Sequence, residues 1–187
     1  CLTKCSDTFN ANQQIFGKVY FPRLIVPFSI VISNMVKMGI QLVLFLVVYA
    51  YYFIVLGTFE INWTIVLFPV LLMMLASLGL GFGLVISSLT TKYRDLRFLI
   101  TFGVQLWMYA TPVIYPLSVM KQNYPDKIWV IVANPLTAII ETFKYGFTGV
   151  GVFEWNYLLY SFVMSIAVLL LGIIVFNRVQ KNFMDVI

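Results

Sequence analysis

Four long apolar stretches, residues 27–57, 63–90, 98–115 and 156–177, decide which solvent this chain can fold in. A helix that crosses a bilayer needs about 20 mainly apolar residues, and each stretch reaches or approaches that length. Charged residues make up only 10% of the 187 positions, against roughly 25% in an ordinary soluble domain. A water-soluble fold of this size could not hide a chain that is 61% apolar. Disorder needs the opposite composition, and two cysteines cannot build a disulfide scaffold. The expected class is an all-α, polytopic transmembrane helical bundle with four spans. Histidine is absent, which removes His-dependent triads, His-bearing zinc sites and His general bases.

A fifth apolar stretch, 128–143, is short, carries Glu141 and is interrupted by Asn134-Pro135. Asn-Pro marks a turn. Backbone broken at membrane depth must be covered by protein or face water. Residues 116–150 are therefore expected to form a re-entrant or interfacial helical hairpin rather than a span. Orientation follows from the basic residues. Four spans put both termini on one side with Lys4, Lys18, Arg23, Lys92, Arg94, Arg97, Arg178 and Lys181. The other side holds Lys121, Lys127 and Lys144. The bias places both termini in the cytoplasm and the hairpin outside, and makes the +5 net charge a topology signal rather than a sign of nucleic acid. Trp63, Trp129 and Trp155 fall at the outer boundaries, where indole rings suit the headgroup layer. Asn62-Trp63-Thr64 is formally a glycosylation sequon, but it abuts the membrane and reads as chance. The chain starts at Cys1 with no initiator Met or signal pattern and is expected to start internally; Cys1 and Cys5 are expected to be reduced structural thiols.

Several residues suit transport better than catalysis. Ser29, Ser33, Lys37 and Gln41, four apart with Asn34 beside them, draw a polar stripe along the first span. Lipid penalises such a stripe, so it is expected to pack against other helices or to line a wet path for an anionic substrate. Gly79, Gly83 and Ser87, with Gly81 between, give the second span a small face that lets helices approach closely. The glycines sit mid-helix with no following Gly-Lys-Ser/Thr, so a nucleotide loop is rejected. Arg94 and Arg97 flank Asp95 in a basic turn that could take anionic headgroups or a pyrophosphate. Phe102, Gln105 and Tyr109 share one face of the third span, which closes at Thr111-Pro112. Glu141 and Lys144 are expected to pair, and no nucleophile–base pair is visible.

The motifs Lys18–Pro27, Tyr93–Arg97, Gln105–Pro116 and Asn134-Pro135-Leu136, taken in order along the chain, resemble the permease subunit of ABC-2 type polysaccharide exporters, which move O-antigen, capsular or teichoic-acid chains. The resemblance implies six spans per subunit, two of them before Cys1, and a homodimer working with two ATPase subunits on a lipid-linked glycan. It implies a bacterial inner-membrane location and no cofactor in this chain, ATP being hydrolysed by the partner subunit. Residues 1–26 would then form the cytoplasmic coupling region, with Asn12, Phe16 and Lys18 as ATPase-coupling candidates. The hairpin would be an outer gate, and Tyr93–Arg97 a cytoplasmic entrance. Candidates for the substrate path are Lys37, Gln41, Arg94, Arg97, Phe102, Gln105 and Tyr109. The rival readings are an ABC-2 permease for a drug or small lipid, a membrane-embedded glycosyl or acyl transferase, and a membrane scaffold.

Overall fold

The computed structural model describes residues 2–6, 24–57, 62–93, 95–113, 117, 120 and 128–184. Among the described residues all regular structure is helical. The helices are α1 (Leu2–Ser6), α2 (Ile25–Leu56), a 3-10 turn (Trp63–Leu67) running directly into α3 (Phe68–Lys92), α4 (Leu96–Ala110), α5 (Ile128–Val132), α6 (Pro135–Thr148) and α7 (Trp155–Met184). The helical bundle expected from the apolar stretches is therefore present.

Among the described residues, three segments are long and apolar enough to cross a membrane: Ile25–Val55, Trp63–Thr90 and Trp155–Val179. The first stops where Gly57 turns to φ +60, and its N–H closes on the Phe53 carbonyl at 3.2 Å. Only glycine takes that left-handed conformation without steric cost.

The third expected span is a shorter helix than its apolar stretch suggests. Its helix has 15 residues, about 22 Å of rise against about 30 Å of hydrocarbon. Residues 114–116, beyond its end, lie outside the described residues, and its apolar run, Phe98–Ala110, is shorter than the three spans above. The cause is local. Thr111 N–H reaches only the Met108 carbonyl, at 3.4 Å, and Pro112 then disfavours helical backbone at Thr111 and supplies no N–H of its own.

The chain forms two compact units. The first draws on Cys1–Met35, Ala76–Leu106 and Ser165–Ile187. Its core is Cys5, Val31, Leu80, Leu84 and Phe176. Here α3 and α7 touch backbone to backbone: a Cβ on Gly172 would lie 2.5 Å from the Gly81 carbonyl oxygen. Gly83 makes room for α1 in the same way, a Cβ there falling 2.5 Å from that of Cys5. The polar start of the chain thus delivers one thiol into the core. The Cys5 thiol is buried, its Sγ 3.9 Å from the Pro27 carbonyl oxygen that it faces as donor, and burial pushes its pKa up. This is the structural thiol that the sequence suggests.

The second unit draws on Val36–Leu75 and Trp107–Met164. Its centre is α6 packed on the 3-10 turn. The backbone N–H of Asn62 donates to the Gly146 carbonyl at 3.2 Å, and the Asn62 side-chain amide donates to the Tyr145 carbonyl at 3.2 Å. Phe45, Phe68, Phe143 and Phe147 gather beside it, with centroid separations from 4.8 Å for Phe143–Phe147 to 6.2 Å for Phe68–Phe147. Tyr49 joins them and donates its hydroxyl to the Phe147 carbonyl at 2.7 Å.

Candidate functional site

The polar centre of the second unit is built around α6. The sequence starts this helix abruptly. Asn134 is extended (φ −75, ψ 115), its side chain accepts from the Leu136 N–H, and Pro135 occupies the first turn. Asparagine at the cap and proline just inside it are favoured for these reasons. The helix ends at Gly149, φ +69, whose N–H returns to the Tyr145 carbonyl.

The break before α6 is satisfied by protein. Thr137 Oγ1 donates to the Ile131 carbonyl at 2.6 Å, and the Tyr160 hydroxyl donates to the Ala133 carbonyl at 3.1 Å. Asn134 also reaches sideways, its Nδ2 donating to Thr111 Oγ1 at 3.0 Å. That hydroxyl in turn donates to the Trp107 carbonyl at 2.8 Å. The end of α4 is thereby tied to the start of α6. Replacing Asn134 by alanine removes a helix cap and this cross-link together, and should cost about 1–2 kcal/mol. Thermal unfolding in detergent reads that loss.

One turn further along, Glu141 is 2% exposed and Lys144 27% exposed, with Nζ 3.5 Å from Oε1. The expected pair is present. Lys144 also donates to the Pro112 carbonyl, and Glu141 Oε2 accepts from the Val152 N–H at 3.3 Å. From Tyr145 near the end of α6, a row of rings runs through Phe153 (stacked, 5.9 Å) and Trp155 (edge-to-face, 5.2 Å) to Trp63 (tilted, 5.8 Å). Trp63 and Trp155 are exposed, as is Trp129, which suits rings at a headgroup boundary.

The residues singled out in the sequence lie elsewhere. Lys37 and Gln41 are exposed on α2. Ser29 turns back to donate to the Val26 carbonyl, and Asn34 to that of Ile30. Phe102, Gln105 and Tyr109 lie on exposed surface of α4, Phe102 and Tyr109 at 61% and 62%. Asn12, Phe16, Lys18, Arg94 and the Arg97 side chain fall outside the described residues. The glycine run is helical throughout and packs helices instead of cradling phosphate.

Sequence reasoning missed Gly172, the partner of Gly81. A lone glycine inside an apolar helix was the available signal. It also missed the links from Asn134 to Thr111 and from Lys144 to Pro112, which span 23 and 32 residues and have no periodic signature.

A helical, multi-span chain with short polar breaks is the architecture of a membrane permease domain. Residues 1–148 match the family model described as ABC-2 type transporter, and the chain belongs to that family. Over 181 residues it is 24% and 25% identical to two proteins of Klebsiella pneumoniae, each called O-antigen export system permease protein RfbA; the matches cover 96% of this chain and 66% of each relative. A protein of the same name from Myxococcus xanthus is 26% identical over 139 residues, 74% of this chain and 51% of the relative. The chain thus spans just under two thirds of the Klebsiella relatives' length and about half of the Myxococcus one.

Proposed function

We propose that this chain is the membrane-spanning part of a permease that exports a lipid-linked polysaccharide across the bacterial inner membrane. Family membership and the three O-antigen permeases it resembles support this reading. The observation that carries it is the exposure of Lys37 and Gln41 on a helix of membrane-crossing length. An ammonium on such a surface is costly against lipid. It becomes favourable where a second copy of the chain, or a hydrated polyanionic path, covers it.

In this reading two copies pair, and ATP is hydrolysed on separate subunits. Those subunits act on the cytoplasmic segment that holds Asn12, Phe16 and Lys18. Arg94 and Arg97 receive the pyrophosphate of the lipid carrier at the cytoplasmic entrance. The glycan then moves past Lys37, Gln41, Phe102, Gln105 and Tyr109, making weak repeated contacts, because tight binding would stall transit. ATP binding does work only through contacts that differ between the two states. Both termini of this chain face the cytoplasm.

Lys37→Met tests the path. It should lower export roughly tenfold, the scale of a lost hydrogen bond to a charged group, with glycan accumulating inside the cell and the permease present at normal abundance. Full export by a normally folded variant would remove Lys37 from the path. Alanine at both Arg94 and Arg97 should likewise trap glycan inside; unchanged export would remove the entrance role.

A further inference from the structure

We infer that Lys144 and Glu141 are positioning residues for transport, forming a polar latch that makes the end of α4, helix α6 and the loop before α7 move as one body. For its consequence the inference rests on the transport reading; its geometry stands apart from it. The latch joins α6 and the loop that follows it to a turn 32 residues before Lys144. Lys144 donates to the Pro112 carbonyl, at the turn that ends α4. The same ammonium lies 3.5 Å from Glu141 on its own helix. Glu141 holds the backbone beyond α6 by accepting from the Val152 N–H at 3.3 Å. Gly151 fits closely against it, a Cβ there falling 3.2 Å from Oε2. Asn134 adds a second tie to Thr111 from the start of the helix.

An ion pair with its carboxylate buried is an expensive way to hold helices together, since apolar side chains of similar volume serve packing as well or better. What the pair supplies is direction: an ammonium has three donors and can exchange one acceptor for another. Here the exchange is prepared. Glu141 Oε1 is buried and makes no hydrogen bond, although Nζ is near. A small cavity lined by Thr137, Glu141, Thr142, Glu154 and Tyr157 opens beside it. If Pro112 moves away from α6, Lys144 can settle fully on Glu141 Oε1, so no charge is stranded. The ammonium therefore keeps an acceptor in both arrangements, Pro112 in one and Glu141 Oε1 in the other, the requirement for an element that switches rather than strains.

The test uses the full-length transporter with its ATPase subunit in sealed proteoliposomes. Lys144→Met alone would strand a buried carboxylate and could misfold, so the main variant pairs Glu141→Gln with Lys144→Met. It has no buried charge and keeps an acceptor for Val152. Lys144→Arg retains the donors. In the double variant, amide hydrogen exchange at 111–113 and 149–154 should quicken about tenfold, with α3 unchanged. Glycan exported per ATP hydrolysed should fall about fivefold at an unchanged ATPase rate. Lys144→Arg should restore both. Exchange within about twofold of wild type in the double variant, uniformly faster exchange along the whole chain, or an unchanged ratio of export to hydrolysis would each overturn the latch. Local exchange that responds as expected in a protein whose wild type exports no glycan would support the latch and overturn the transport reading instead.

Discussion

Gly81→Ala should sharply reduce the amount of folded protein in the membrane, although it adds one methyl group to a helix. A Cβ at this position would lie 2.7 Å from the Val168 carbonyl oxygen and 2.8 Å from both the Val168 carbonyl carbon and the Leu169 nitrogen. All three are backbone atoms of α7, so no side chain can rotate away. The two helices would have to separate, and contacts along both would loosen. In lipid, apolar helices gain nothing from leaving water, and close packing is what holds them together. The cost should reach about 3 kcal/mol, the upper part of the range for overpacked interiors. Thiol labelling of Cys5 during a thermal ramp, with Cys1 replaced by serine, supplies the measurement, because Cys5 is fully buried when folded. Gly39→Ala is the matched control: nothing lies within 4 Å of the added carbon. It should leave the midpoint unchanged or slightly raised, since alanine favours helix. Equal midpoints for the two variants would refute the backbone contact.

Phe176→Ala should be nearly as damaging for the opposite reason. Phe176 is 0% exposed and fills the core formed with Cys5, Val31, Leu80 and Leu84. Truncation leaves a void that the surrounding helices cannot fully close, at a cost of about 3–5 kcal/mol in typical cores. Because the unfolded helices stay in lipid, the lost term is mainly contact with neighbours rather than transfer from water, which points to the lower figure, about 3 kcal/mol. Cys5 lies in the same cluster, so its labelling should start at lower temperature. Phe98→Ala, at a ring that is 79% exposed, should leave that temperature unchanged. Equal effects at the two positions would contradict the core assignment.

These contrasts separate what the amino-acid order discloses from what it does not. The spans at Ile25–Val55, Trp63–Thr90 and Trp155–Val179 were legible because apolar length is a local, additive property. Asn134-Pro135 was legible as a break, since both residues act on their own backbone. The Glu141–Lys144 pair followed from helical spacing. The end of α4 was legible only in part. Thr111-Pro112 signals a stop, yet the apolar residues beyond it extended the expected span past Ala110. For the candidate site, the sequence identified which polar residues a membrane would penalise. It did not reveal that Lys37, Gln41, Phe102 and Tyr109 lie on exposed faces while Glu141 is buried.

The sequence by itself determined that this chain lives in a bilayer, is helical, and breaks at Asn134-Pro135, since each follows from residues acting within a few positions of one another. Tertiary structure alone decided that Gly81 meets Gly172, that Cys5 enters the core, and that Lys144 finds the Pro112 carbonyl. Those contacts join segments far apart along the chain. In a solvent where every helix is already apolar, shape and donor geometry in three dimensions choose the partner, and hydrophobic pattern does not.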